Sequence, residues 1–292
     1  MGGISQPLAP LPTIVMVKRY LKWAGLLVTA VLAVNAAAEE SHVRARLVAK
    51  AAVIKPGLSF LLGVELEPDP GWHVYWRNPG GAGLSTEVLY RLPDGFSVAE
   101  LQWPTPVEFE QPGGIIGYGY EDRVILAAEV TAPTGFQGLL TAEVEASWLA
   151  CKDVCILGSK KLTADLPLKG AELEASKTAF ESWAALMPAQ GGSEPYELSV
   201  TGGPVPDFGG AGLVVWLKWF STPGSVEFFP DPGSGLKVED ARVQTRGSLT
   251  RIDFTISRLK TTDSPAETLG ALIVTRDADG NRRATVSHIA ID

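Results

Sequence analysis

Apolar residues recur at every second position through Thr141-Ala142-Glu143-Val144-Glu145-Ala146-Ser147-Trp148. That period lays one side of an extended chain on a core and turns the other to water. Short runs of this kind, broken by Gly and Pro, fill the segment from His42 to Leu168. The candidate strands are Val43–Ile54, Leu58–Leu66, Trp72–Trp76, Thr86–Arg91, Val98–Trp103, Val124–Thr131, Thr141–Leu149 and Lys160–Leu166. Pro-Gly, Asn-Pro-Gly-Gly and Pro-Asp-Gly turns separate them. Many short strands divided by turn signals predict a β-sandwich.

One stretch has a helical period. From Ala171 to Met187, Leu173, Phe180, Trp183, Ala184 and Met187 share a face, and Pro188 with Gly191-Gly192-Ser193 stops it. A second set of strands follows from Tyr196: Gly212–Trp219, Ser225–Phe229, Lys237–Thr245, Leu249–Ser257, Thr268–Thr275 and Arg282–Ile291. Asp277-Ala278-Asp279-Gly280-Asn281 is a hairpin-turn signature. The expected class is therefore all-β: one sandwich domain over 39–168, a helical linker over 169–193, and a second sandwich over 194–292. The second holds no cysteine and one histidine, His288, so it reads as packing, spacing or partner contact.

Residues 1–38 carry Lys18, Arg19 and Lys22 and no acidic side chain. An apolar run, Trp23 to Val34, then leads to Ala36-Ala37-Ala38. This is the pattern of a secretory signal, cut after Ala38. The run falls short of the about 20 residues a membrane span needs. Met16 opens a more conventional signal than Met1 does. Cleavage would leave 22 basic against 33 acidic residues, a net charge of −11. That balance argues against nucleic acid and against anionic lipid as partners, and the mature chain is expected to be soluble.

The two cysteines of this exported chain are Cys151 and Cys155, separated by Lys152-Asp153-Val154. On a continuing strand their Cα atoms would lie about 13 Å apart, whereas a disulfide needs roughly 4.4–6.8 Å. A turn or helical twist within Lys152-Asp153-Val154 must join them if they bond. So short a loop adds little as a fold staple, which favours exchange. Lys152 would favour a thiolate at Cys151 and Asp153 would oppose it. Three chemistries stay open: thiol–disulfide exchange, a structural disulfide, and a soft Cu(I) site with His73 as a further ligand by residue type. A closed zinc site wants four ligands, more than these cysteines supply.

Two more segments stand out. In Gly71-Trp72-His73-Val74-Tyr75-Trp76-Arg77-Asn78-Pro79-Gly80-Gly81 the aromatics read as packing and Asn78-Pro79-Gly80 as the turn after a strand. In Gly113-Gly114-Ile115-Ile116-Gly117-Tyr118-Gly119-Tyr120-Glu121 four glycines make a poor strand; composition alone favours an ordinary connection over a mobile flap. No Gly-x-Ser-x-Gly elbow, phosphate loop or His-Glu-x-x-His occurs.

Four motifs then occur in a familiar order: Trp72-His73-Val74-Tyr75-Trp76-Arg77-Asn78-Pro79-Gly80, Gln102-Trp103-Pro104-Thr105-Pro106, Gly117-Tyr118-Gly119-Tyr120-Glu121, and Trp148-Leu149-Ala150-Cys151-Lys152-Asp153-Val154-Cys155. Over residues 42–168 the chain resembles the N-terminal periplasmic domain of the DsbD thiol:disulfide interchange proteins, nearest the ScsB-like branch linked to copper tolerance. The second β segment resembles the region that follows in that branch. The resemblance implies an immunoglobulin-like sandwich in the periplasm carrying one exchanging pair, Cys151 and Cys155, with no cofactor, copper being the alternative. It implies a cap loop formed by Ile115, Ile116, Gly117, Tyr118, Gly119 and Tyr120. Cys155 or Cys151 would attack a partner disulfide and the other would resolve the mixed disulfide; in the family's best-known member the cysteine nearer the C-terminus attacks, which points to Cys155. The implied partners are thioredoxin-like periplasmic proteins. The membrane portion and C-x-x-C domain of the family are not in this sequence, so a separate membrane electron donor is expected.

Overall fold

The alternation at residues 141–148 lies in β9 (Leu140–Cys151), whose Leu140, Ala142, Val144, Ala146, Trp148 and Ala150 are buried in turn. The computed structural model describes Gly2 and residues 42–189, 194–205, 210–233, 236–258, 268–277 and 279–291. The expected export signal at residues 1–38 lies outside the described residues, Gly2 apart. Among the described residues no helix is long and apolar enough to cross a membrane.

Two antiparallel sheets make the first sandwich. One runs β1 (Val43–Lys50), β2 (Ser59–Pro68), β8 (Val124–Thr131), β5 (Ser97–Val98). The other runs β10 (Cys155–Leu166), β9, β3 (His73–Gly80), β7 (Ile115–Tyr120), β6 (Val107–Gln111), with β4 (Glu87–Arg91) paired farther along β9. Leu62, Val64, Leu66 and Leu126 of the first sheet meet Val74, Trp76, Val144 and Trp148 of the second in one core. The helix α1 (Gly170–Leu186) covers the outside of the first sheet, packing Phe180 and Trp183 on Val48, Ile125 and Ala127. With both faces covered, β8 is buried continuously from Val124 to Ala128 instead of alternating.

The second sandwich pairs a sheet of β11 (Tyr196–Val205), β12 (Gly210–Trp219), β15 (Leu249–Arg258) and β14 (Leu236–Arg246) with a sheet of β13 (Ser225–Asp231), β16 (Thr268–Arg276) and β17 (Arg282–Ala290). The fold is thus all-β, two immunoglobulin-like sandwiches joined by a helix. The three-stranded sheet serves two cores. Phe228, Ala271 and Ile273 point into the second, while Phe229, Leu272, Val274 and Ala284 belong to the first. Phe229 sits edge-on to Trp76 and Tyr118, ring centroids 6.4 and 5.3 Å away. Polar contacts rim this junction: Arg77 pairs with Asp231, Asn78 Nδ2 donates to the Pro230 carbonyl at 2.7 Å, and Arg282 donates to the Pro106 carbonyl at 2.8 Å.

Five strands depart from the sequence reading. β6, β7 and β11 form where no strand is expected, and Asn78-Pro79-Gly80, read as a turn, continues β3 past an irregular register between Tyr75 and Gly80. The expected strand Val98–Trp103 shrinks to Ser97–Val98 with an isolated bridge from Gln102 to Ala127.

Candidate functional site

β9 and β10 are the arms of one hairpin, with Cys151 directly opposite Cys155. Lys152-Asp153-Val154 is the turn, closed by a hydrogen bond from Lys152 N–H to the Val154 carbonyl at 3.0 Å. The sulfurs are bonded, with the Cα atoms 4.1 Å apart. Their surroundings differ sharply. Cys151 is 1% exposed, whereas Cys155 lies open on an edge strand between Val154 (60% exposed) and Leu157 (65%).

Cys151 is buried although it faces away from the main core. Ala150 takes the core position at this end of β9, which puts Leu149 and Cys151 on the outer side of the sheet. There Tyr75 and Phe109 close over Cys151, with Val107 and Leu149 at the margin. His73, buried as well, is the residue directly opposite Cys151 across the β3–β9 pair. The Phe109 ring lies on the His73 imidazole, centroids 3.9 Å apart, and Tyr75 stands edge-on to it at 5.2 Å. A polar chain runs through these rings. His73 Nε2 is 3.3 Å from Tyr75 Oη, which donates to Gln111 Oε1 at 2.9 Å, and Gln111 Nε2 donates to the Ala82 carbonyl at 3.5 Å. Burial lowers the pKa of His73 and raises that of Tyr75.

Phe109 reaches the site by crossing β7 at a glycine. It pairs in register with Gly117, and a Cβ at 117 would sit 2.4 Å from the Phe109 ring and 2.7 Å from Gln111 Nε2. This corrects the expected cap. Ile115, Ile116, Gly117, Tyr118, Gly119 and Tyr120 are a strand, not a loop, and the side chain over Cys151 comes from Phe109 of the neighbouring strand. Tyr118 and Tyr120 turn toward the core, Tyr120 donating to the Pro104 carbonyl at 2.8 Å. Ile115 and Ile116 lie at the tip of the β6–β7 hairpin, half-exposed. The sequence signal for Phe109 was the alternation Val107, Phe109, Gln111, which a reading centred on the glycines passed over.

The bonded cysteines offer no thiolate to a metal in this oxidised form, and among the described residues no three His, Cys, Asp or Glu side chains gather as a metal site. What the arrangement provides is a disulfide with one open sulfur and one sulfur sealed under aromatic rings.

Residues 44–167 match the family described as thiol:disulfide interchange protein DsbD, N-terminal. Among solved structures, the chain is similar to the N-terminal periplasmic domain of ScsB from Proteus mirabilis, with a TM-score of 0.63 and 20% identity. That likeness covers 87% of this chain and 96% of the other, so it takes in both sandwiches; at this identity it speaks for the fold. No curated protein matches the chain.

Proposed function

Residues 44–167 are a DsbD-type N-terminal domain, and from that premise we propose that the chain is a periplasmic electron carrier between thioredoxin-like proteins, working through Cys151 and Cys155. The observation that carries this reading is the asymmetry of the pair: Cys155 is open among exposed apolar side chains and Cys151 is sealed. A reduced donor's thiolate attacks Cys155 Sγ, the Cys151–Cys155 bond breaks, and Cys151 leaves with the electron pair. The donor's second thiol then resolves the mixed disulfide, leaving both cysteines reduced and the donor oxidised. In the second half-reaction the Cys155 thiolate attacks an oxidised partner, and Cys151 resolves. Val154 and Leu157 give a docking partner apolar surface to cover around the open sulfur. A purely structural bond is the weaker reading, because closing so short a loop stabilises a fold by only about 2 kcal/mol.

Trapping tests the assignment of roles. Cys151→Ser leaves Cys155 without its resolving thiol, so mixing with a thioredoxin-like domain whose own resolving cysteine is serine and whose other cysteine is loaded with thionitrobenzoate should release thionitrobenzoate and give a stable adduct visible by intact mass. Cys155→Ser should give at least about tenfold less, since its remaining thiol is buried. Equal trapping by both variants would overturn the assignment, and no adduct from either would overturn the carrier reading.

A further inference from the structure

We propose that His73 is the base for the buried cysteine: its Nδ1 takes the proton of Cys151 when that sulfur attacks, and returns it when Cys151 leaves. The inference rests on the exchange reading above and adds a residue and a proton path to it.

The first support is position. Directly opposed residues of an antiparallel pair hold their Cβ atoms about 4.5–5.5 Å apart on one face of the sheet, and His73 and Cys151 are such a pair. The second is the tautomer, which the polar chain determines one bond at a time. The Ala82 carbonyl only accepts, so the Gln111 amide turns its NH2 toward it and its oxygen toward Tyr75. That oxygen also only accepts, so the Tyr75 hydroxyl hydrogen is committed to Gln111. Tyr75 Oη then receives its hydrogen bond from His73 Nε2, which must carry the ring hydrogen. In the neutral ring the lone pair is left on Nδ1. Burial lowers the imidazole's pKa, which favours the neutral ring.

The third support is need. A thiol beneath two aromatic rings ionises poorly, because burial disfavours the thiolate. Cys151 must nevertheless act as a nucleophile when it resolves a mixed disulfide. In that step Cys151 S–H passes its proton to Nδ1, the sulfur bonds Cys155 Sγ, the bond from Cys155 to the partner breaks, and the partner leaves as a thiolate with the electron pair. The reverse step returns the proton from the imidazolium to Cys151. The other titratable groups around His73 are Tyr75 on its own strand, Cys155 on β10, and Lys152 and Asp153, both exposed in the hairpin turn. From β6, Val107, Phe109 and Gln111 share the face toward the site while Glu108 and Glu110 project from the other; β7 lies under Phe109 with Gly117.

The test uses the mature chain with Cys155 loaded as a mixed disulfide with thionitrobenzoate, whose release as Cys151 attacks is followed by absorbance across pH. Wild type should release it at a rate that rises with the imidazole titration and levels off near neutral pH. His73→Gln should be slower by about 100-fold at pH 7 and should keep rising with pH as the thiol itself ionises. Superimposable profiles would overturn the proposal while leaving the carrier reading intact. A wild type that releases nothing would overturn both. Should His73→Gln fail to fold, ring-nitrogen NMR shifts of the reduced wild type give the answer. Hydrogen on Nε2 is the expected tautomer, and hydrogen on Nδ1 would contradict it.

Discussion

Replacing Phe229 with alanine is expected to cost about 4 kcal/mol and to lower the melting temperature by about 10 °C. The ring is fully buried and is shared between sandwiches, standing on β13 while packing on Trp76 of β3 and Tyr118 of β7. Its loss leaves a cavity whose walls are the two strands that frame the cysteine site. The consequence should reach the site. β7 carries Gly117, over which Phe109 crosses to cover Cys151, so amide exchange through 107–120 should quicken beyond what the lower stability alone explains. Ile252→Ala is the control. Ile252 is equally buried but belongs to the second core alone, so its loss, about 3 kcal/mol, should leave β6 and β7 protected. Equal exchange in the two variants would mean that the second sandwich does not brace the hairpin.

Phe109→Ala should make the disulfide about tenfold easier to reduce by a small thiol such as glutathione, at a stability cost of about 3 kcal/mol. The ring seals Cys151, the leaving sulfur, from water. A thiolate expelled into an apolar pocket is a poor leaving group, and admitting water lowers its pKa and speeds its departure. Gly117→Ala should act in the same direction without removing the ring. Its new methyl would occupy the space the Phe109 ring and the Gln111 amide now fill, and the ring must swing away. Rates unchanged in both variants, measured by alkylation and mass, would show that Phe109 does not control the exposure of Cys151.

Much of this architecture was legible in the chain. Period-two burial in β9 comes straight from its sequence, because one face of that strand meets a core and the other does not. Strand geometry required a turn or helical twist between Cys151 and Cys155 if they bond, and the structure makes it the turn of a hairpin whose second strand begins at Cys155, ahead of the expected Lys160. Legibility failed where a second surface overrides local pattern. Asn78-Pro79-Gly80 has the composition of a turn, yet Asn78 is held extended by Pro230 of the second sandwich, 152 residues away. Glycines 117 and 119 weaken a strand on their own, but here they admit the Phe109 ring and the close approach of β3, where a Cβ at 119 would meet the Val74 carbonyl at 2.1 Å. The role of Phe109 was hidden for the same reason: nothing local says which ring will cross a neighbouring strand. His73, singled out by residue type alone, acquires meaning only from its register with Cys151.

The equilibrium reduction potential of the Cys151–Cys155 bond, read by alkylation and intact mass across a glutathione redox series, tests the central claim most directly. A carrier must give up and regain its disulfide readily, so the account predicts a potential above about −250 mV. A potential below about −300 mV would mark a bond that resists reduction, and would contradict the assignment of these cysteines to electron transfer.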